Sequence, residues 1–322
     1  MSKMYKVIVL WVWLLLLALL VGLPIRYSTY GPETVFSSPG DMRHIQKRFN
    51  SFMCTGLEIT NKESEMVDVY TTSETPYVDK NKTLTQTIQR ASRIDDMRFE
   101  YWGYHLIAGS EVTIRTTVNA NVELYIAKGV SGRNKWRGKF NQCKNNCENQ
   151  LQKDVEFSAL YKNETYLANL SISTTDDYFF IYARSRRSEQ RGITFANINM
   201  TFFLRRTRYN LSNTKKECIL STKANKSCTI DLPYRADRNI LLTYDVSSNA
   251  LNLDVITTCI PREWVYLVFF LGLPFAIGLI LSGLIMLLCK DKQKTLESDI
   301  APNEKTVTLD NKRGYSNPVV QY

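Results

Sequence analysis

EVTIRTTV, residues 111–118, sets Val112, Ile114, Thr116 and Val118 on one side of the chain and Glu111, Thr113, Arg115 and Thr117 on the other. A period of two belongs to an extended strand with one face buried and one wetted. Runs on either side read the same way: NVELYIAKG (121–129), TYLANLSIS (165–173), DYFFIYARS (177–185), GITFANINMTFF (192–203) and RNILLTYDV (238–246). Each is short, rich in β-branched and aromatic residues, and bounded by Gly, Asn, Ser or charge. Helical spacing is scarce. DMRHIQKRFNSF (41–52), with Met42, Ile45 and Phe49 on one face, is the one tolerable helix, and a plain turn reads it equally simply. Periodicity lapses in GVSGRNKWRGKFNQC, from Gly129 on toward Cys147. The expectation is a mainly β protein with two β-sandwich-like modules, residues 26–128 and 129–263.

Two uncharged runs bracket this β region: Val7–Ile25, nineteen residues, and Trp264–Cys289, twenty-six. At about 1.5 Å per residue each is long enough for about 30 Å of hydrocarbon, and neither shows the polar face of a globular surface helix. Residues 7–25 and 264–289 are therefore expected to be transmembrane helices. Lys3 and Lys6 would also suit a cleaved signal peptide, but the apolar part is long and no small-x-small site follows Leu20, so an uncleaved signal anchor is preferred. Lys290, Lys292 and Lys294 crowd the far end of the second run, whereas Arg262 is offset by Glu263 at its near end. By the positive-inside bias both termini, 1–6 and 290–322, are cytosolic and residues 26–263 luminal or extracellular.

Modification patterns agree with that topology. N-x-S/T sequons stand at Asn81, Asn163, Asn169, Asn199, Asn210 and Asn225, all between the apolar runs. Six cysteines, Cys54, Cys143, Cys147, Cys218, Cys228 and Cys259, lie there too, while Cys289 falls at the cytosolic edge as a palmitoylation candidate. Short loops favour Cys218 with Cys228, then Cys143 with Cys147, which leaves Cys54 with Cys259; six cysteines allow about fifteen connectivities, and the sequence does not choose among them. A metal or redox reading of CKNNC lacks companions, because the chain has only His44 and His105 and no CxxC.

The order YWGYHLIAGSEVTI (101–114), VELYIAKG (122–129), YFFIYARS (178–185), NINMTFFLRRTRYNLS (197–212), KECILSTKANKSCTIDLPY (216–234) and NILLTYDV (239–246) resembles the luminal region of the APD-type (aberrant pollen development) membrane ubiquitin ligases. The resemblance covers about residues 7–289. It implies a signal anchor before the region, a second membrane helix after it, and residence in the endomembrane system. Those ligases carry a cytosolic RING whose eight Cys/His ligands hold two zinc ions. Lys290–Tyr322 hold neither Cys nor His, so the ligase activity is not carried over, and the sensing or anchoring half is what the resemblance implies here.

Catalytic patterns are missing: no P-loop, GxGxxG, HExxH or GxSxG is present. His105 reads as a strand residue satisfied by a neighbour, and Asp95–Asp96 and Asp176–Asp177 as turn formers. A non-enzyme without cofactor is expected. The segment 26–263 holds 33 Lys/Arg against 26 Asp/Glu, concentrated in Arg133–Lys139, Arg184–Arg191 and Arg205–Arg208. These clusters read as solvated surface, with a polyanion- or lipid-binding module as the alternative. RSRR (184–187) also fits the pattern that luminal convertases cut. The tail is expected to be disordered and to dock trafficking or signalling adaptors through Tyr315 with Asn317, an SH2-type pattern, and through Val320 and Tyr322, a PDZ-type C-terminus. The functional expectation is a membrane glycoprotein whose luminal modules bind or sense a protein partner; a RING-less partner of a membrane ubiquitin ligase is a further alternative. Nucleic acid is not an expected partner.

Overall fold

In a computed structural model, the described residues are 3–45, 51–62, 65–142, 155–184, 192–221, 225–234, 238–246 and 253–288. Helix α1 (Lys3–Pro24) runs into a π-helical turn, Ile25–Thr29. Sixteen strands follow: β1 (Glu33–Val35), β2 (Met42–Ile45), β3 (Cys54–Asn61), β4 (Val67–Thr72), β5 (Val78–Asp95), β6 (Phe99–Leu106), β7 (Glu111–Val118), β8 (Val122–Lys128), β9 (Val155–Leu160), β10 (Thr165–Ser171), β11 (Asp176–Ala183), β12 (Phe195–Tyr209), β13 (Lys215–Leu220), β14 (Ser227–Asp231), β15 (Asn239–Tyr244) and β16 (Val255–Pro261). Helix α2 (Gly129–Gln142) lies between β8 and β9; α3 (Glu263–Leu267), a second π-helical turn (Val268–Gly272) and α4 (Leu273–Leu288) end the described chain.

The strands form four antiparallel sheets with orders β1-β16-β3-β14, β13-β4-β15-β2, β10-β7-β12-β5 and β6-β11-β8-β9. The first two share one buried cluster, with Leu57, Ile59, Val69, Leu242 and Val255 among its members. The other two share a second, built on Leu106, Ile114, Leu124, Phe180 and Phe202. These are two sandwiches, but they are nested: β5–β12 form an inserted sandwich between β4 and β13 of a host sandwich. Asn210 N–H donates to the Tyr77 carbonyl at 3.0 Å, so the chain leaves the inserted sandwich beside the point where it entered.

The sequential division at 128/129 therefore needs correction. β8, before that point, pairs with β9, after it, through Val122↔Leu160 to Ala127↔Val155. What breaks the strand period there is α2, whose Trp136 is buried against Tyr125, Phe179 and Ile181 on the outer face of the inserted sandwich. A second correction falls at DMRHI. Met42–Ile45 is a strand paired with β15, because Met42 packs with Leu241, Ile107 and Tyr209 where the host and inserted sandwiches meet; residues 46–50 lie outside the described residues.

Met4–Thr29 and Glu263–Leu288 are long and apolar enough to cross a membrane. Among the described residues, 3–18 and 272–288 form one compact unit and those within 19–271 another. Inside the first, Trp11 and Phe275 rings lie 5.3 Å apart, and a Cβ on Gly278 would come within 2.8 Å of Trp11, so a glycine is what lets these helix segments touch.

Candidate binding cleft between the two sandwiches

The segment FSSPGDMR, 36–43, is the wedge from which the site is built. Ser37, Ser38, Asp41, Met42 and Arg43 are all buried. A Cβ on Gly103 would stand 2.5 Å from the Phe36 ring, so strand β6 needs a glycine to let the wedge in. Ser38 Oγ donates to the Gly103 carbonyl at 2.5 Å, and Gly40, at φ +77°, turns the chain beneath Arg206.

Two ion pairs lock the wedge to the inserted sandwich. Asp41 is fully buried and accepts from Arg206 at 2.7 Å, from the Ser38 backbone at 2.8 Å and from the His105 backbone at 3.2 Å. Burial pushes its carboxyl above the ordinary value, against the pull of Arg206, Arg43 and His105. Beside it, Arg43 grips both oxygens of Asp177, at 2.5 and 3.4 Å. The β11–β6 register sets Asp177 opposite His105, and His105 Nδ1 lies 2.9 Å from the same carboxylate. Burial alone would raise Asp177, but the His105 hydrogen bond and the Arg43 charge outweigh it and hold the carboxyl below its usual range.

Arg43, His105 and Asp177 form the floor of a cleft of about 510 Å³. The host sandwich supplies Glu33, Thr34, Arg43, His44, Asp254 and Thr257; the inserted one supplies Tyr101, His105, Val130, Arg133 and Asp177. Arg133, on α2, stacks over the Phe179 and Tyr101 rings at 4.7 and 5.5 Å. His44 Nε2 meets Asn239 Oδ1 at 2.9 Å, and burial lowers the imidazole's proton affinity, partly offset by that bond. Both histidines of the chain thus border one cleft made by two sandwiches. The arrangement can take a partner with both charged and apolar groups; among the described residues no cluster of three or more metal-ligating side chains occurs.

His105 is satisfied by a neighbour, and Asp177 is an ion-pair partner rather than a turn former. Arg133 and Arg206 were read only as members of basic surface clusters, and Asp41 and Arg43 were given no role, because the partners of Arg43 and Arg206 lie 134 and 165 residues away. Two of the three basic clusters are partly internal. Arg206 is buried, and Arg184 is fully buried with its guanidinium 3.0 Å from Asp96; residues 185–191, the rest of RSRR included, lie outside the described residues. Arg133–Lys139 is helix α2.

Five sequon asparagines, Asn81, Asn163, Asn169, Asn199 and Asn225, are exposed. Asn81, Asn169 and Asn199 stand on β5, β10 and β12 of one sheet. Asn210 is half-buried, with its amide on the Tyr77 hydroxyl and its oxygen accepting from Ser212. Disulfides join Cys54 to Cys259 and Cys218 to Cys228. The latter links β13 of one host sheet to β14 of the other, closing that edge of the sandwich. Cys143, Cys147, Cys289, Tyr315, Asn317, Val320 and Tyr322 lie outside the described residues.

Residues 64–132 match the sequence model for "E3 ubiquitin-protein ligase APD1-4, N-terminal", and residues 167–280 that for the "E3 ubiquitin-protein ligase APD1-4, middle domain". Together the two matches span more than half of the chain. Each runs through parts of both sandwiches, as the nesting requires. No curated protein matched the chain. Among solved structures, the infectious bursal disease virus VP2 subviral particle is similar at 8% identity and a TM-score of 0.24, over 74% of this chain and 78% of that one. Infectious bursal virus derived T=1 particles give 9% identity and a TM-score of 0.22, over 74% and 76%. Likenesses at that level carry no argument.

Proposed function

The chain belongs to the APD1-4 family of E3 ubiquitin-protein ligases, and on that premise we propose that it is a non-enzymatic membrane glycoprotein whose paired β sandwiches bind a protein partner on the luminal or extracellular side. One observation carries the reading: the cleft takes its walls from both sandwiches, so a bound partner is sensed by the joint between them. Support for the side comes from the Cys54–Cys259 and Cys218–Cys228 bridges, which persist in oxidising compartments, and from five exposed sequons. The tail beyond Cys289 then serves as the cytosolic docking segment for adaptors.

Proximity labelling from the luminal face, with the native chain beside Tyr101→Ala and Arg133→Glu, tests the cleft. Tyr101 and Arg133 are side chains of the cleft wall, not of its buried floor. The proposal expects a defined set of neighbours for the native chain that both variants lose while their thermal unfolding stays unchanged. Identical neighbours for all three would remove the cleft from the account.

A second reading follows from the matched domains themselves, since both belong to ubiquitin ligases. The chain would then act as a companion of a RING-bearing relative. Purification under mild detergent that consistently brings down a ubiquitin ligase favours this reading; its absence in quantitative mass spectrometry excludes it.

A further inference from the structure

The host sandwich is joined to the second apolar helix almost without a linker. β16 ends at Pro261 and α3 starts at Glu263, leaving Arg262 alone between them. That residue is a clamp. Its guanidinium donates to the carbonyls of Ser51, Cys54 and Leu232 at 3.2, 3.2 and 3.0 Å, and the Cys54–Cys259 bridge lies just behind it. Two turns of the sandwich, before β3 and after β14, are thereby fixed to the helix start.

Those turns carry aromatic rings that continue the apolar surface of the helix. Phe52 lies 5.7 Å from Phe269 and 5.8 Å from Tyr234, and Tyr234 lies 6.4 Å from Trp264. Arg262 also faces the Tyr234 ring at 5.6 Å. Tyr234, Trp264 and Phe269 are 43, 53 and 46% exposed, a large apolar area to leave in water. Phe269 stands five residues past Trp264, about 7.5 Å along a helix axis, so Phe52 reaches to the same depth. An amphipathic element settles about 5–10 Å into the boundary of headgroups and acyl chains. Tyr and Trp, apolar at one end and polar at the other, prefer that zone.

We propose that Phe52 and Tyr234 are embedded in the interfacial zone of the phospholipid bilayer that the chain's own helices cross. The host sandwich rests on the membrane through these two turns and has no stalk. The inference rests on the membrane reading above, and the test separates the two. Benzoylphenylalanine is placed singly at Phe52, Tyr234, Leu271 and Tyr161 of the full chain in phosphatidylcholine nanodiscs, irradiated, and the adducts are read by mass spectrometry. Leu271 is an exposed residue of the apolar run and Tyr161 an exposed aromatic of the inserted sandwich. The expected result is lipid adducts from 52, 234 and 271 in comparable yield and none from 161. Adducts from 271 alone overturn the inference and leave the membrane reading standing. No adduct from 271 overturns both, and equal adducts from 161 overturn the specific placement. Because Tyr234 is exposed, its replacement tests the inference even where that of Phe52 disturbs folding.

Discussion

Asp41 and Arg206 face each other at 2.7 Å with almost no exposure to water. Removing one partner strands the other's charge, which costs about 3–5 kcal/mol for a buried pair. Arg206→Met is therefore expected to lower the urea midpoint of the full chain steeply, and Asp41→Asn combined with it to recover part of the loss. Equal midpoints for native and Arg206→Met chains would show that the pair is not closed. His44 sets a different signature. Burial holds its proton affinity down, so its contribution to stability is complete above the unfolded value of about 6.5 and is lost as pH falls below it. The native chain should melt lower at about pH 5.5 than at about pH 7.5, and His44→Gln should show a smaller difference. Asp177, held low by His105 and Arg43, keeps its contribution across that window and loses it only below about pH 4.

Elements repeat the lesson at larger range. The period-two runs were legible because alternation is local: β7 buries Val112, Ile114, Thr116 and Val118, the face read from its sequence. Helix α2 was not legible, since its GVSGRNKWRGKFNQ holds three glycines and only a Trp136–Phe140 stripe for a buried face. RSRR shows the limit of a motif. Its first arginine, Arg184, is a buried residue held by Asp96, so a convertase would have to draw that side chain out of the sandwich to read the pattern. An extracellularly tagged chain expressed with abundant convertase should run at full length, and a discrete cut after Arg187 would contradict this. The Cys218–Cys228 bridge closes a short loop across the edge of the host sandwich. Cys228→Ser should cost about 2–4 kcal/mol and retain the protein in the endoplasmic reticulum, while normal export with unchanged non-reducing mobility would exclude a structural role for the bridge.

For the molecule as a whole, nesting is what the sequence concealed. Strand content and two modules could be read along the chain, but which strands share a sheet depends on pairings such as β16 with β1 and β3, more than 190 residues apart. The candidate site was hidden for the same reason: its halves come from 33–45 and 254–257 on one side and 101–177 on the other. A direct consequence is that residues 77–210, whose ends are hydrogen-bonded to each other, should unfold as one cooperative unit when expressed alone in the secretory pathway. The fragment 26–128, which cuts through both sandwiches, should not fold. The orientation proposed above sets the nested sandwiches, between two apolar helices, on the non-cytosolic side of a membrane. Its most direct test is protease protection of the full chain in sealed microsomes, followed by peptide N-glycosidase digestion. The sandwich region is expected to survive protease, to carry glycans at the exposed sequons and to shift in mobility when they are removed; an unglycosylated region degraded by protease in intact vesicles would rule this orientation out.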